Sequence, residues 1–181
     1  MNDRPTSPPS PGPESPRPRV LLVVAGVALV ADQFGKAWAF ASWRGAAGLC
    51  EVIPGLYAGA QGRNYGALYS VDGVDDAPMT RIALTLLGVV SVGIMFRWAI
   101  LDRERWRGLD AVGGGLVFAG AIGNLADRLA LGYVRDFLII GLRPHDIFNP
   151  ADVFMIFGAL LLVASWATKR MATPAAIPEA A

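Results

Sequence analysis

The chain has 181 residues, 54% of them hydrophobic and only 17% charged, with a mean hydropathy of +0.43. That balance excludes an ordinary soluble domain and points to a membrane-embedded one. A net charge of +1 gives no reason to expect a nucleic-acid partner, and a single cysteine, Cys50, excludes an intramolecular disulfide and a cysteine-built zinc site.

Residues 1–18 hold seven of the thirteen prolines, interleaved with Ser, Arg and Gly, and are expected to form a disordered cytoplasmic tail. A bilayer core of about 30 Å needs about 20 mainly apolar residues to span it. Four stretches qualify: roughly 20–40, 80–100, 109–131 and 151–167. They predict one four-helix membrane domain over 19–170, followed by a second cytoplasmic tail, 171–181. A cleaved signal peptide over 17–31 is the competing reading of the first stretch. However, Asp32-Gln33-Phe34-Gly35-Lys36 makes a poor cleavage site and the apolar run resumes through Phe40, so a retained span is expected. Asp32 and Lys36 lie four residues apart near its outer end, in the order that favours an ion pair on one helical face. The pair either neutralises charge at the membrane edge or contacts a ligand headgroup or substrate backbone.

Residues 43–79 form the longest extramembrane stretch. Two apolar or β-branched runs, 49–56 and 65–71, flank Gly59-Ala60-Gln61-Gly62 and predict short strands of a small extracytoplasmic sheet; a disordered loop is the alternative. Trp38, Trp43, Tyr57, Tyr65 and Tyr69 suit the membrane interface. Asn64-Tyr65-Gly66-Ala67 reads either as a turn or as an amide placed to hydrogen-bond a peptide backbone. Beyond the second span, Arg97, Arg103, Arg105 and Arg107 form a compact basic cluster. With Arg4, Arg17, Arg19, Lys169 and Arg170 they set the cytoplasmic side, against Lys36, Arg44, Arg63, Arg81, Arg135 and Arg143 outside. Both termini are therefore expected in the cytoplasm.

The third span carries Gly113, Gly114, Gly115, Ala119, Gly120 and Gly123, small residues that let helices approach closely, and is expected at the centre of the bundle. Gly120, Asn124, Asp127 and Arg128 share one face of it. The polar members need partners, with Asp127 read as structural support and Arg128 as a fork of donors for a carbonyl or phosphate-like group. Asp136 follows the third span and Asp152 opens the fourth, on the same membrane face. Asn149 at N-cap, Pro150 at N1 and Asp152 at N3 spell helix initiation, so Asp152 has a purely structural reading as a capping acid. Two converging carboxylates, however, share a proton. The neutral one donates to a carbonyl oxygen while the ionised one takes a proton from water, which is aspartic protease chemistry without a cofactor or metal. The dipole at the start of the fourth span favours Asp152 as the ionised member and leaves the proton mainly on Asp136.

The ordered set Asp32-Gln33-x-x-Lys36, Asn64-x-Gly66-Ala67, Gly123-Asn124-x-x-Asp127-Arg128, Gly132-x-Val134-x-Asp136-Phe137 and Phe148-Asn149-x-Ala151-Asp152 resembles the lipoprotein signal peptidases, or signal peptidase II family. The resemblance runs from the first span to the fourth. It departs from the usual pattern at Gly35, at Leu68-Tyr69 and at Pro144-His145-Asp146. It implies a bacterial inner-membrane aspartyl endopeptidase with four helices and a small sheet after the first. Such an enzyme removes the signal peptide from prolipoproteins just before the diacylglyceryl-modified cysteine, with membrane lipid as its surroundings. The family's dyad falls on Asp136 and Asp152, and its supporting residues on Asp32, Lys36, Asn64, Asn124, Arg128 and Asn149. The rival class is a small transporter or proton-relay subunit, which would spread its acids through the membrane depth.

Overall fold

A computed structural model describes residues 19–42, 49–66, 78–101, 108–140 and 147–172. Expectations that fall on Trp43, Arg44, Ala67, Leu68, Tyr69, the arginines at 103, 105, 107 and 143, residues 144–146, the N-terminal tail and the C-terminal tail beyond Ala172 lie outside the described residues; Met171 and Ala172, expected in that tail, continue the last helix. Four helices occupy the predicted spans: α1 (Arg19–Ser42), α2 (Pro78–Leu101), α3 (Leu109–Leu131) and α4 (Pro150–Ala172). Each is long and apolar enough to cross a membrane. Because the chain crosses four times, the ends of α1 and α3 and the starts of α2 and α4 gather at one end of the bundle.

The glycine-rich α3 is the central helix. Of its apolar window 56% is buried, against 6% for α2. A Cβ on Gly113 would lie 2.8 Å from the Gly158 carbonyl oxygen, and one on Gly158 would lie 2.6 Å from that of Gly113, so α3 and α4 cross backbone to backbone. On its other flank, Gly115 meets Leu21 and Val24 of α1 just as closely. In lipid no water drives helices together, so this close packing is the main source of cohesion. At the end of the bundle away from the sheet, Lys169 of α4 bridges the buried Asp110 of α3. Helix α2 packs on α3, with Leu125 filling the space at Gly88, and turns Ile82, Leu86, Val90 and Phe96 outward.

The gathered ends carry a four-stranded antiparallel sheet in the order β1 (Cys50–Ile53), β2 (Leu56–Asn64), β3 (Val134–Ile140), β4 (Ile147–Phe148). The expected sheet between the first two helices is therefore present, and the connection between α3 and α4 extends it. The strand boundaries differ from those expected. Gly59-Ala60-Gln61-Gly62 does not separate two strands but lies inside β2, where the pairing with β3 slips between Ala58 and Gly62. A bulge accommodates the surplus residues, and Gly59, at φ 129°, adopts a backbone that other residues rarely reach. The predicted strand at 65–71 is not seen at Tyr65 and Gly66, and the rest of it lies outside the described residues. Helix α3 ends at Gly132, whose left-handed φ of 79° and N–H to Arg128 oxygen close the last turn. Two residues later β3 begins, pairing with β2 on one side and β4 on the other.

Candidate active site

Strand β3 and the first turn of α4 bring Asp136 and Asp152 to a single residue, Asn149. Its side-chain Nδ2 donates to Asp136 Oδ1 at 2.5 Å, while its backbone N–H donates to Asp152 Oδ2 at 3.1 Å. In return Asn149 Oδ1 accepts the backbone N–H of Asp152 at 3.2 Å. This reciprocal exchange is a capping box, so the predicted N-cap and N3 positions are both occupied as read. The helix-start bonds are also the bonds that hold the two carboxylates together.

Each aspartate has a second amide. Asn64 Nδ2 at the end of β2 donates to Asp136 Oδ2 at 3.0 Å, and Asn64 Oδ1 accepts the N–H of Gly66 at 3.0 Å. The Asn64 turn is thus present, and it aims the amide at an aspartate. Asn124 Nδ2 of α3 donates to Asp152 Oδ1 at 2.8 Å. Its Oδ1 accepts from Lys36 Nζ at 2.9 Å, which orients the amide so that its donors face Asp152. Asp136 is 2% exposed; Asp152 is half-buried.

Lys36 is fully buried and pairs with Asp32 at 2.9 Å, the i,i+4 bridge expected from sequence. Asp127 Oδ2 lies 3.6 Å from the same ammonium. Asp32 has a further part, because its Oδ1 accepts the N–H of Ala151 at 3.0 Å and so caps α4 from α1. The absence of a side chain at Gly123 leaves room for the Asp32 carboxylate. A charged cluster this deep persists only because its members are paired and hydrogen-bonded.

Sequence reading gave no site role to two members, Gln33, noted only as a position of the first motif, and Arg135. Arg135 grips Asp127 with Nε at 3.1 Å, Nη2 at 2.6 Å and its backbone N–H at 3.0 Å, and donates to Gln33 Oε1 at 2.8 Å. Gln33 Nε2 in turn donates to Asp32 Oδ2 at 2.9 Å and to the Gly123 carbonyl at 3.1 Å. The available signal was an arginine beside an acid in the otherwise apolar run 134–140. Asp127 and Arg128, adjacent in sequence, take different partners: Arg128 Nη2 donates to the Gly66 carbonyl at 3.3 Å.

Beside these residues runs a cleft of about 830 Å³ between α2, α3 and α4. Leu84, Leu87, Leu125, Met155, Ile156 and Phe157 make most of its wall apolar, and Asn64, Asn124, Arg128, Asn149 and Asp152 supply its polar groups. Asp136 sits behind Asn64 and Asn149. Outside the spanning helices, its carboxyl is pushed up to about 6, chiefly by burial. The neighbouring charge of Asp152 adds to this, and the hydrogen bonds from Asn149 and Asn64 and the charge of Lys36 oppose it.

A family model described as signal peptidase (SPase) II matches residues 24–168. Curated proteins named lipoprotein signal peptidase are similar over most of the chain. The one from Geobacter metallireducens is 36% identical over 150 residues, covering 81% of this chain and 90% of its own. The one from Rhizorhabdus wittichii is 39% identical over 149 residues, covering 77% and 81%. A solved structure described as a bacterial membrane enzyme superposes with a TM-score of 0.70 at 23% identity, over 88% of this chain and 94% of that one, and supports the fold.

Proposed function

The chain belongs to the signal peptidase II family, and on that premise we propose that its aspartic protease chemistry runs on Asp136 and Asp152, which cut the signal peptide from diacylglyceryl-modified prolipoproteins. The observation that carries the proposal is the sharing of Asn149 between the two carboxylates. Asp152, on the cleft, takes the proton of the attacking water. Asp136, whose burial favours its neutral form near pH 6, carries the proton that the scissile carbonyl oxygen accepts. Asn64, Asn124, Asn149, Asp32 and Lys36 hold the dyad, and Asp127 supports them. Arg128 lines the cleft a short way from Asp152 and offers donors to the peptide or its lipid.

The apolar cleft wall suits the acyl chains and the apolar signal helix, which enter sideways from lipid between α2 and α4. The sheet end faces the outside of the inner membrane and both termini face the cytoplasm, in keeping with Arg19, Arg97, Lys169 and Arg170 near the opposite helix ends. Among the described residues the acids gather at the sheet end instead of spreading through the spans, apart from Asp110, and this favours hydrolysis over a transport role. Purified protein should cleave a prolipoprotein whose cysteine carries diacylglyceryl and leave the unmodified precursor intact. Equal cleavage of both, or none of either, would contradict the assignment.

A further inference from the structure

The two faces of β3 are held by different machinery. Along a strand successive side chains point to opposite faces, and Asp136 turns toward Asn64, Asn149 and the dyad while Arg135 turns toward α1 and α3. The Arg135 position is one that the family resemblance leaves unspecified, and neither it nor Asp127 nor Gln33 lines the cleft.

We infer that Arg135 is a positioning residue for the proteolytic reaction: clamped by Asp127 and Gln33, it fixes the strand that carries Asp136 relative to the helix start that carries Asp152. The inference rests on the proposed function for its meaning and on three observations for its geometry. First, the grip is directional. A planar guanidinium meets both oxygens of Asp127, and the backbone N–H of the same residue bonds Asp127 as well, so side chain and main chain are both tied to α3. Second, the anchor is buried and doubly paired: Asp127 is 1% exposed and also faces Lys36. Third, the clamp reaches the other half of the dyad without passing through the cleft. Arg135 bonds Gln33, Gln33 bonds Asp32, and Asp32 caps the N–H of Ala151, the residue before Asp152. A loosened clamp lets β3 shift, and the bonds from Asn64 and Asn149 that hold down the pKa of Asp136 lengthen. The charged groups around Asp136 remain Asp152 of α4, Lys36 of α1 and Arg128 of α3.

Arg135→Lys tests this, because it keeps the charge and loses the fork. A second variant, Arg135→Gln with Asp127→Asn, removes both charges together and leaves no buried ion orphaned. The readouts are the titration of the Asp136 carboxyl, followed by carbon-13 NMR of aspartate-labelled protein in lipid discs and identified by its loss in Asp136→Asn, and steady-state cleavage kinetics. The Asp136 midpoint should rise by about half a pH unit or more in both variants. Along with it, kcat should fall about ten-fold while KM stays within about two-fold, since Arg135 is off the cleft. A folded variant with an unmoved midpoint and unchanged kcat overturns the inference, even if its melting temperature drops. If the wild type cleaves no lipidated precursor, the proposed function fails, and the titration still decides whether Arg135 positions Asp136.

Discussion

Asn149 links two roles that the sequence presents as rivals. An asparagine, a proline and an acid three residues on make a helix start, and a helix start needs no chemistry. Yet the cap bonds leave Asn149 Nδ2 free to hold Asp136 and leave Asp152 Oδ1 to Asn124, so one set of contacts serves both ends. The linkage sign for Asp136 follows from its raised pKa. The folded state favours the neutral carboxyl, so its contribution to stability is complete below the unfolded value of 3.8 and is lost as pH rises through about 6. The stability of the wild type relative to Asp136→Asn should therefore decline by up to about 3 kcal/mol between about pH 4 and pH 7. Equilibrium unfolding in detergent across that range measures it, and parallel profiles would contradict the assignment.

The helices were legible element by element because hydropathy and length alone specify a span, and the small residues of α3 announce close contact. The sheet was legible only in part. Residues 134–140 pair with 56–64 across seventy or more positions, and no local pattern encodes such a partner. The glycines of β2 signal irregular backbone, but a bulge and a turn need the same residue type. Polar residues were legible as motif positions, while the Arg135–Gln33 contact, joining β3 to α1, was not. Two glycines of α3 separate packing from function. Gly113→Ala sets a Cβ against the Gly158 carbonyl far from the dyad, whereas Gly120→Ala drives one into Ala151 and Met155 beside Asp152. Each should cost about 1–3 kcal/mol by thermal unfolding. Only Gly120→Ala should also lower kcat in protein kept well below its melting temperature; equal kcat in the two variants would contradict this.

At the scale of the whole molecule, the bundle puts its polar chemistry at one end and an apolar cleft beneath it. Asn64 and Asp136 are joined across 72 positions and Lys36 and Asn124 across 88, so the motifs become a site only when four helices and a sheet have assembled. The ordered motifs made the candidate residues and the expected dyad legible; the amide bonds of Asn64, Asn124 and Asn149 and the buried charge cluster around Lys36 emerged from the fold. Cleavage of a diacylglyceryl-modified prolipoprotein by wild type, Asp136→Asn and Asp152→Asn, each verified as folded, tests the dyad most directly. Each substitution should reduce the rate by about a hundred-fold or more. Wild-type rates in either folded variant would remove that aspartate from the chemistry.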